Sequence, residues 1–158
     1  MPTEDLVIKR IINAPVKATW NAWTQPERLM QWWGPQYYSS PSCTVDLRVG
    51  GKFVFAMQAP QEMGGQLSYS SGTYSNIVPQ ELLEFSFFIS DAEGNPIDPA
   101  AIGLPEDFPN EIPYSISFKK LGEMTELTIT ERGWPMIQMR VFSYAGMQQS
   151  IDKLVETF

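Results

Sequence analysis

The sequence predicts an α+β fold in which a curved antiparallel sheet wraps around a long C-terminal helix, with two short helices after the first strand. Three observations carry this prediction. Runs of alternating apolar and polar residues recur between residues 43 and 131, the spacing lengthens to that of a helix after Gly133-Trp134-Pro135, and Trp32-Trp33-Gly34-Pro35, followed by Tyr37-Tyr38, marks a bend. Two adjacent tryptophans cannot both face a core from one side of a helix or strand, so the chain turns here around something it encloses or plugs.

Taken in order, Val7 to Asn13 is a short apolar run containing Lys9 and Arg10, expected as an edge strand. Asn13-Ala14-Pro15 then opens a helix over Val16 to Trp23, because proline in a first turn forfeits no helical hydrogen bond. Thr24-Gln25-Pro26 repeats the device: Thr24 is expected to cap, and Glu27 to Trp33 to form a second short helix stopped by Gly34-Pro35. Cys43 to Asp46 and Lys52 to Gln58 read as strands joined by a hairpin-type turn at Gly50-Gly51, with Phe53, Phe55 and Met57 on one face.

Further strands are expected at Leu67 to Val78, Leu82 to Ile89, Ile112 to Lys120 and Met124 to Glu131. In these, Leu83, Phe85, Phe87 and Ile89 share a face, as do Ile112, Tyr114, Ile116 and Phe118; Glu131 continues the inward register of Leu127 and Ile129. Short turns such as Leu121-Gly122-Glu123 make successive strands antiparallel neighbours. Ser90 to Asn110, broken by Pro96, Pro99, Pro105 and Pro109, reads as a long loop without regular structure. The closing helix shows an apolar stripe of Ile137, Val141, Tyr144, Ile151, Leu154, Val155 and Phe158, with Met136, Met139 and Met147 also expected as packing residues.

Composition bounds the function. A chain of 158 residues, 43% hydrophobic and 18% charged, is expected to form one globular domain over residues 1–158. Its formal charge of -7 repels phosphate backbones and anionic membranes, so neither nucleic acid nor membrane insertion is expected. Histidine is absent, which removes the usual neutral-pH base, the conventional hydrolytic triad and the commonest zinc ligand. The lone Cys43 allows no internal disulfide and no thiolate cluster; no metal and no cofactor are expected. Met1 to Val7 carries Glu4 and Asp5 and no long apolar run, so no secretory signal is read there and a cytoplasmic location is expected.

Five local motifs look familiar in this order: Ile12-Asn13-Ala14-Pro15, Ala22-Trp23-Thr24-Gln25-Pro26, Trp32-Trp33-Gly34-Pro35, Asp46-Leu47-Arg48-Val49-Gly50-Gly51, and Gly146-Met147-Gln148-Gln149-Ser150-Ile151-Asp152-Lys153-Leu154. Together they resemble the START-like (SRPBCC) superfamily, within it the branch similar to the C-terminal domain of the activator of heat-shock-protein-90 ATPase. The resemblance implies a helix-grip fold, as in the birch pollen allergen, with a cavity for apolar small molecules between the sheet and the last helix. Its members range from lipid carriers and hormone receptors to aromatase/cyclases and cochaperones, so the resemblance implies a pocket and leaves the reaction open. One departure is Met147, where the branch often carries Trp after the Gly, which implies a softer or wider cavity here.

The expected cavity wall is drawn from the bend, the inward strand faces and the helix. It comprises Trp32, Trp33 and Tyr38; Phe53, Phe55 and Met57; Tyr74, Phe85 and Phe87; Tyr114 and Phe118; and Trp134, Met139 and Met147. Trp32 and Trp33 either plug the end of the sheet or act as a lid. Arg48 is either an anchor at the cavity rim or, with Asp46, a lock on the turn before Gly50-Gly51. Tyr69, Tyr74 and Tyr144 offer hydroxyls. No catalytic residue is assigned; Glu131 would become a candidate acid or base if buried, and is otherwise expected at an exposed strand end paired with Arg132 or Arg140. The expectation is therefore binding of a small apolar or aromatic ligand with no assigned reaction. Its alternatives are a cyclase- or hydrolase-type enzyme on polyketide-like substrates, using Glu131, Arg48 and a tyrosine, and a chaperone-interacting module that stimulates a heat-shock-protein ATPase. A protein partner or a homodimer is compatible with each.

Overall fold

The computed structural model describes residues 3–135 and 137–158. Its elements are β1 (Glu4–Ile12), α1 (Val16–Thr24), α2 (Pro26–Leu29), β2 (Cys43–Val45), β3 (Lys52–Gln58), β4 (Leu67–Val78), β5 (Leu82–Ser90), β6 (Ile112–Leu121), β7 (Met124–Trp134) and α3 (Ile137–Glu156). The seven strands form one antiparallel sheet in the order β1-β7-β6-β5-β4-β3-β2. Apart from the β1–β7 pairing, every neighbour in the sheet is also a neighbour in sequence, as short turns demand. That exception brings the first strand against the last and places β1 at an edge, as its charged run suggested.

Alternation dictates which face each strand buries. In β6, Ile112, Tyr114, Ile116 and Phe118 are buried while Pro113, Ser115 and Ser117 are not, and β7 repeats the pattern through Thr125, Leu127, Ile129 and Glu131. The inward aromatic rings interlock: Phe53 stacks on Phe55 at 4.6 Å and meets Phe85 edge-on at 5.1 Å, and Phe85 stacks on Tyr114 at 5.2 Å. At Gly72 the sheet closes over Phe53 so tightly that an added Cβ would stand 1.8 Å from the Ser86 carbonyl oxygen, which leaves no other residue a place there.

Five local expectations need correction. The segment from Ser90 to Asn110 is not without regular structure: Ser90 ends β5, and Pro99–Ile102 form a 3-10 turn whose Ala100 N–H donates to the Asp98 side chain. Thr24 does not cap α2; its hydroxyl donates back to the Trp20 carbonyl at 2.9 Å, and Gln25 stands at the cap position. Helix α2 ends at Leu29 rather than Trp33, because the chain must already turn toward Gly34, whose φ of 104° suits glycine. Strand β2 stops at Val45, and residues 46–51 form a six-residue loop rather than a two-glycine turn, tied by Arg48 N–H to Asp46 C=O and Gly51 N–H to Arg48 C=O. Finally, the inward stripe of α3 is only partly the one expected. Ile151 and Leu154 are buried as expected, with Met147 and also Ser150, whereas Val141, Tyr144, Val155 and Phe158 are exposed. Met136 and the Ile137 side chain lie outside the described residues.

Candidate functional site

The bend after α2 separates the paired tryptophans. Trp32 turns toward α1, its indole N–H donating to the Ala22 carbonyl at 2.9 Å and its ring meeting Trp23 edge-on at 4.8 Å. Trp33 turns the other way, onto Phe55 at 4.8 Å and Phe87 at 5.9 Å. Both are buried, so the pair plugs the end of the sheet, and Trp32 has no N–H left to offer a ligand. Lys153 of α3 fastens the bend from above: its ammonium donates to the carbonyls of Gly34 (2.9 Å), Tyr38 (3.0 Å) and Pro35 (3.3 Å), and partial burial lowers its pKa.

Between α3 and the sheet lies a recess of two adjoining chambers. The larger, about 300 Å³, is walled by Phe87, Phe88 and Ile89 of β5, Ile112 and Tyr114 of β6, Trp134 of β7, Phe108 and Pro109 of the loop before β6, and Met139, Phe142 and Ser143 of α3. The smaller, about 200 Å³, runs beneath the bend among Trp33, Gly34, Pro35, Met57, Ser70, Gly146, Met147 and Ser150. Phe87, Tyr114 and Ser143 line both and form the waist between them. Above the smaller chamber α3 carries Gly146 and Ser150, and a Cβ added to Gly146 would meet nothing within 4 Å. No charged side chain lines either chamber.

Behind the waist sits Glu131, fully buried and directly opposite Tyr114 across the β6–β7 pair. Its Oε1 accepts the Trp134 indole N–H at 3.0 Å and the Ser143 hydroxyl at 2.7 Å, while Oε2 has no hydrogen-bond partner among the described residues. Glu131 is therefore neither exposed nor paired with an arginine, as was expected of it: Arg140 pairs with Glu4, and Arg132 lies 3.5 Å from Asp5. Burial raises its pKa, opposed by hydrogen bonding from Ser143, Trp134 and Tyr114 in that order. The Tyr114 phenol is pushed up as well, by burial first and then by the neighbouring Glu131 carboxyl.

Of the residues expected to wall a cavity, Trp33, Met57, Phe87, Tyr114, Trp134, Met139 and Met147 line the recess. Trp32, Phe53, Phe55, Tyr74, Phe85 and Phe118 are buried in the aromatic core away from it, and Tyr38 meets Lys153 through its carbonyl. Arg48 is 69% exposed, pairs with Asp46 at 2.9 Å in the β2–β3 loop, and lines neither chamber; it locks a turn. Phe108 and Pro109 were missed because an aperiodic loop gives no sign of which residue faces inward, although Phe108 meets Trp134 edge-on at 5.8 Å. Cys43 is half-buried, and burial together with the Glu27 charge pushes its thiol up to about 12, which leaves it a poor nucleophile. Among the described residues, no group of three or more Cys, Asp and Glu could hold a metal, and no helix is long and apolar enough to cross a membrane.

A curved antiparallel sheet gripping a C-terminal helix over an apolar recess defines a START-like, helix-grip protein. The sequence matches the family model described as activator of Hsp90 ATPase homolog 1-like protein over residues 13–158, and the chain belongs to that family. Solved structures with this fold include a protein of Chromobacterium violaceum, 26% identical with a TM-score of 0.76 over 99% of this chain and 97% of that one. A protein of Nitrosomonas europaea is 24% identical, with a TM-score of 0.74 over 96% and 92%. The AHSA1 protein of Silicibacter pomeroyi is 20% identical, with a TM-score of 0.75 over 98% and 96%. No curated protein matches the chain significantly.

Proposed function

We propose that this protein is a single START-like domain that binds a small apolar or aromatic molecule in the recess between the sheet and α3. The observation that carries the reading is the larger chamber: about 300 Å³ walled by aromatic and aliphatic side chains from three strands, a loop and the helix, with no charge on its surface. Such walls favour a ligand by apolar burial, with shape as the main source of discrimination. Glu131 reaches the recess through Ser143 rather than directly, so its role is to position that hydroxyl and not to move a proton to or from a ligand. A thermal-shift screen with naphthalene-sized aromatics, fatty acids and polyketide-like compounds tests the proposal. Stabilisation that grows with ligand concentration is expected, and none by any compound would overturn it.

A second reading, a module that engages an Hsp90-type chaperone, is favoured by the family and by an exposed apolar strip in which Val7 of β1 adjoins Val141 and Tyr144 of α3. Unchanged chaperone ATPase turnover on titration with the protein would remove it.

A further inference from the structure

We infer that the waist of the recess is a hydrogen-bond acceptor, made by Ser143 with its own proton held by Glu131, and that it selects an uncharged ligand bearing a hydroxyl donor. The inference deepens the binding reading above and rests on it.

Proton accounting at the waist leads to this assignment. The Trp134 indole N–H can only donate, so Glu131 Oε1, 3.0 Å away, is an acceptor. Oε2 has no hydrogen-bond partner among the described residues. Ser143 Oγ donates its single proton to the same Oε1 at 2.7 Å. What Ser143 presents to the two chambers it lines is a pair of lone pairs, and only a donor satisfies them. Tyr114, on the other wall of the waist, faces the same carboxyl across the sheet.

Charge narrows the ligand further. Neither chamber is lined by lysine or arginine, and Arg132 and Arg140 are engaged with Asp5 and Glu4. A carboxylate ligand would lose its hydration without gaining a counter-ion, and would approach a buried carboxyl. An ether or a hydrocarbon would leave Ser143 unsatisfied. A phenol or an alcohol on a fused-ring skeleton satisfies the waist and fills the apolar walls.

The test uses the full chain and four probes of one shape: naphthalene, 1-naphthol, 1-methoxynaphthalene and 1-naphthoate. By calorimetry or fluorescence, 1-naphthol is expected to bind about tenfold tighter than 1-methoxynaphthalene, with 1-naphthoate weakest, the order one buried hydrogen bond imposes. Ser143→Ala should abolish the preference for naphthol over 1-methoxynaphthalene. Glu131→Gln, which keeps a carbonyl acceptor for Ser143, should retain the preference, whereas Glu131→Leu frees the Ser143 proton and should narrow the gap by strengthening methoxynaphthalene. Should Glu131→Leu fail to fold, Ser143→Ala decides alone. Equal binding of naphthol and methoxynaphthalene, with naphthalene bound, overturns this inference and leaves the recess reading standing. If none of the four binds while the wider screen yields a stabilising ligand, the inference falls alone; if that screen yields none either, the recess reading falls with it.

Discussion

From Gly146 to Glu156, α3 sets Met147, Ser150, Ile151 and Leu154 into the core, and Gln148 and Asp152 take hydrogen bonds from Arg10 of β1. From Gln138 to Ala145 the same helix has no fully buried residue, and Val141, Phe142 and Tyr144 stand 46–58% exposed. The contrast explains where the recess lies. One half of the helix is anchored by large side chains and polar ties; the other lines the space beneath with Met139, Phe142 and Ser143, none of them fully buried. The packed core and the recess thus occupy different lengths of one element.

The sharpest way to break this comparison is to truncate each half. Leu154→Ala is expected to cost about 2–5 kcal/mol in urea unfolding, since the leucine is fully buried. Phe142→Ala, from a 58% exposed position, should cost less than about 1 kcal/mol while weakening ligand binding. Equal losses at the two positions would erase the distinction. A smaller effect is expected at the tie itself: Lys153→Met removes three hydrogen bonds from a half-exposed ammonium and should lower stability by about 1–2 kcal/mol in the same assay. The smallest effect carries the opposite sign. Gly146→Ala places a methyl where nothing lies within 4 Å, so it should raise stability by about 0.5–1 kcal/mol and narrow the smaller chamber. A destabilised Gly146→Ala protein would show that the space is not there.

The strands were legible because burial on a sheet obeys a period of two that side-chain chemistry reports directly: β3 and β4 begin and end where the alternation does. The helix misled for a physical reason. Its most apolar line passes through Val141 and Tyr144, yet the inward line passes through Ser143, Gly146 and Ser150, because a helix over a hollow does not need apolar bulk on its inner side. Half of the expected wall residues line the recess, and they do so for the same cause as the strands. The rest, Phe53 and Phe85 among them, is spent on packing ring against ring, which a sequence does not distinguish from lining a space. Glu131 was legible by register but its partners were not, since the arginines beside it find β1 carboxylates that lie more than a hundred residues away in the chain.

The pairing of β1 with β7 also has a consequence for how the polypeptide folds. The partner of β1 spans Met124–Trp134, more than a hundred residues further along, and Arg10 reaches α3 beyond it. Closing this edge of the sheet therefore waits on contacts of long sequence separation, which makes this a slow folder of high contact order.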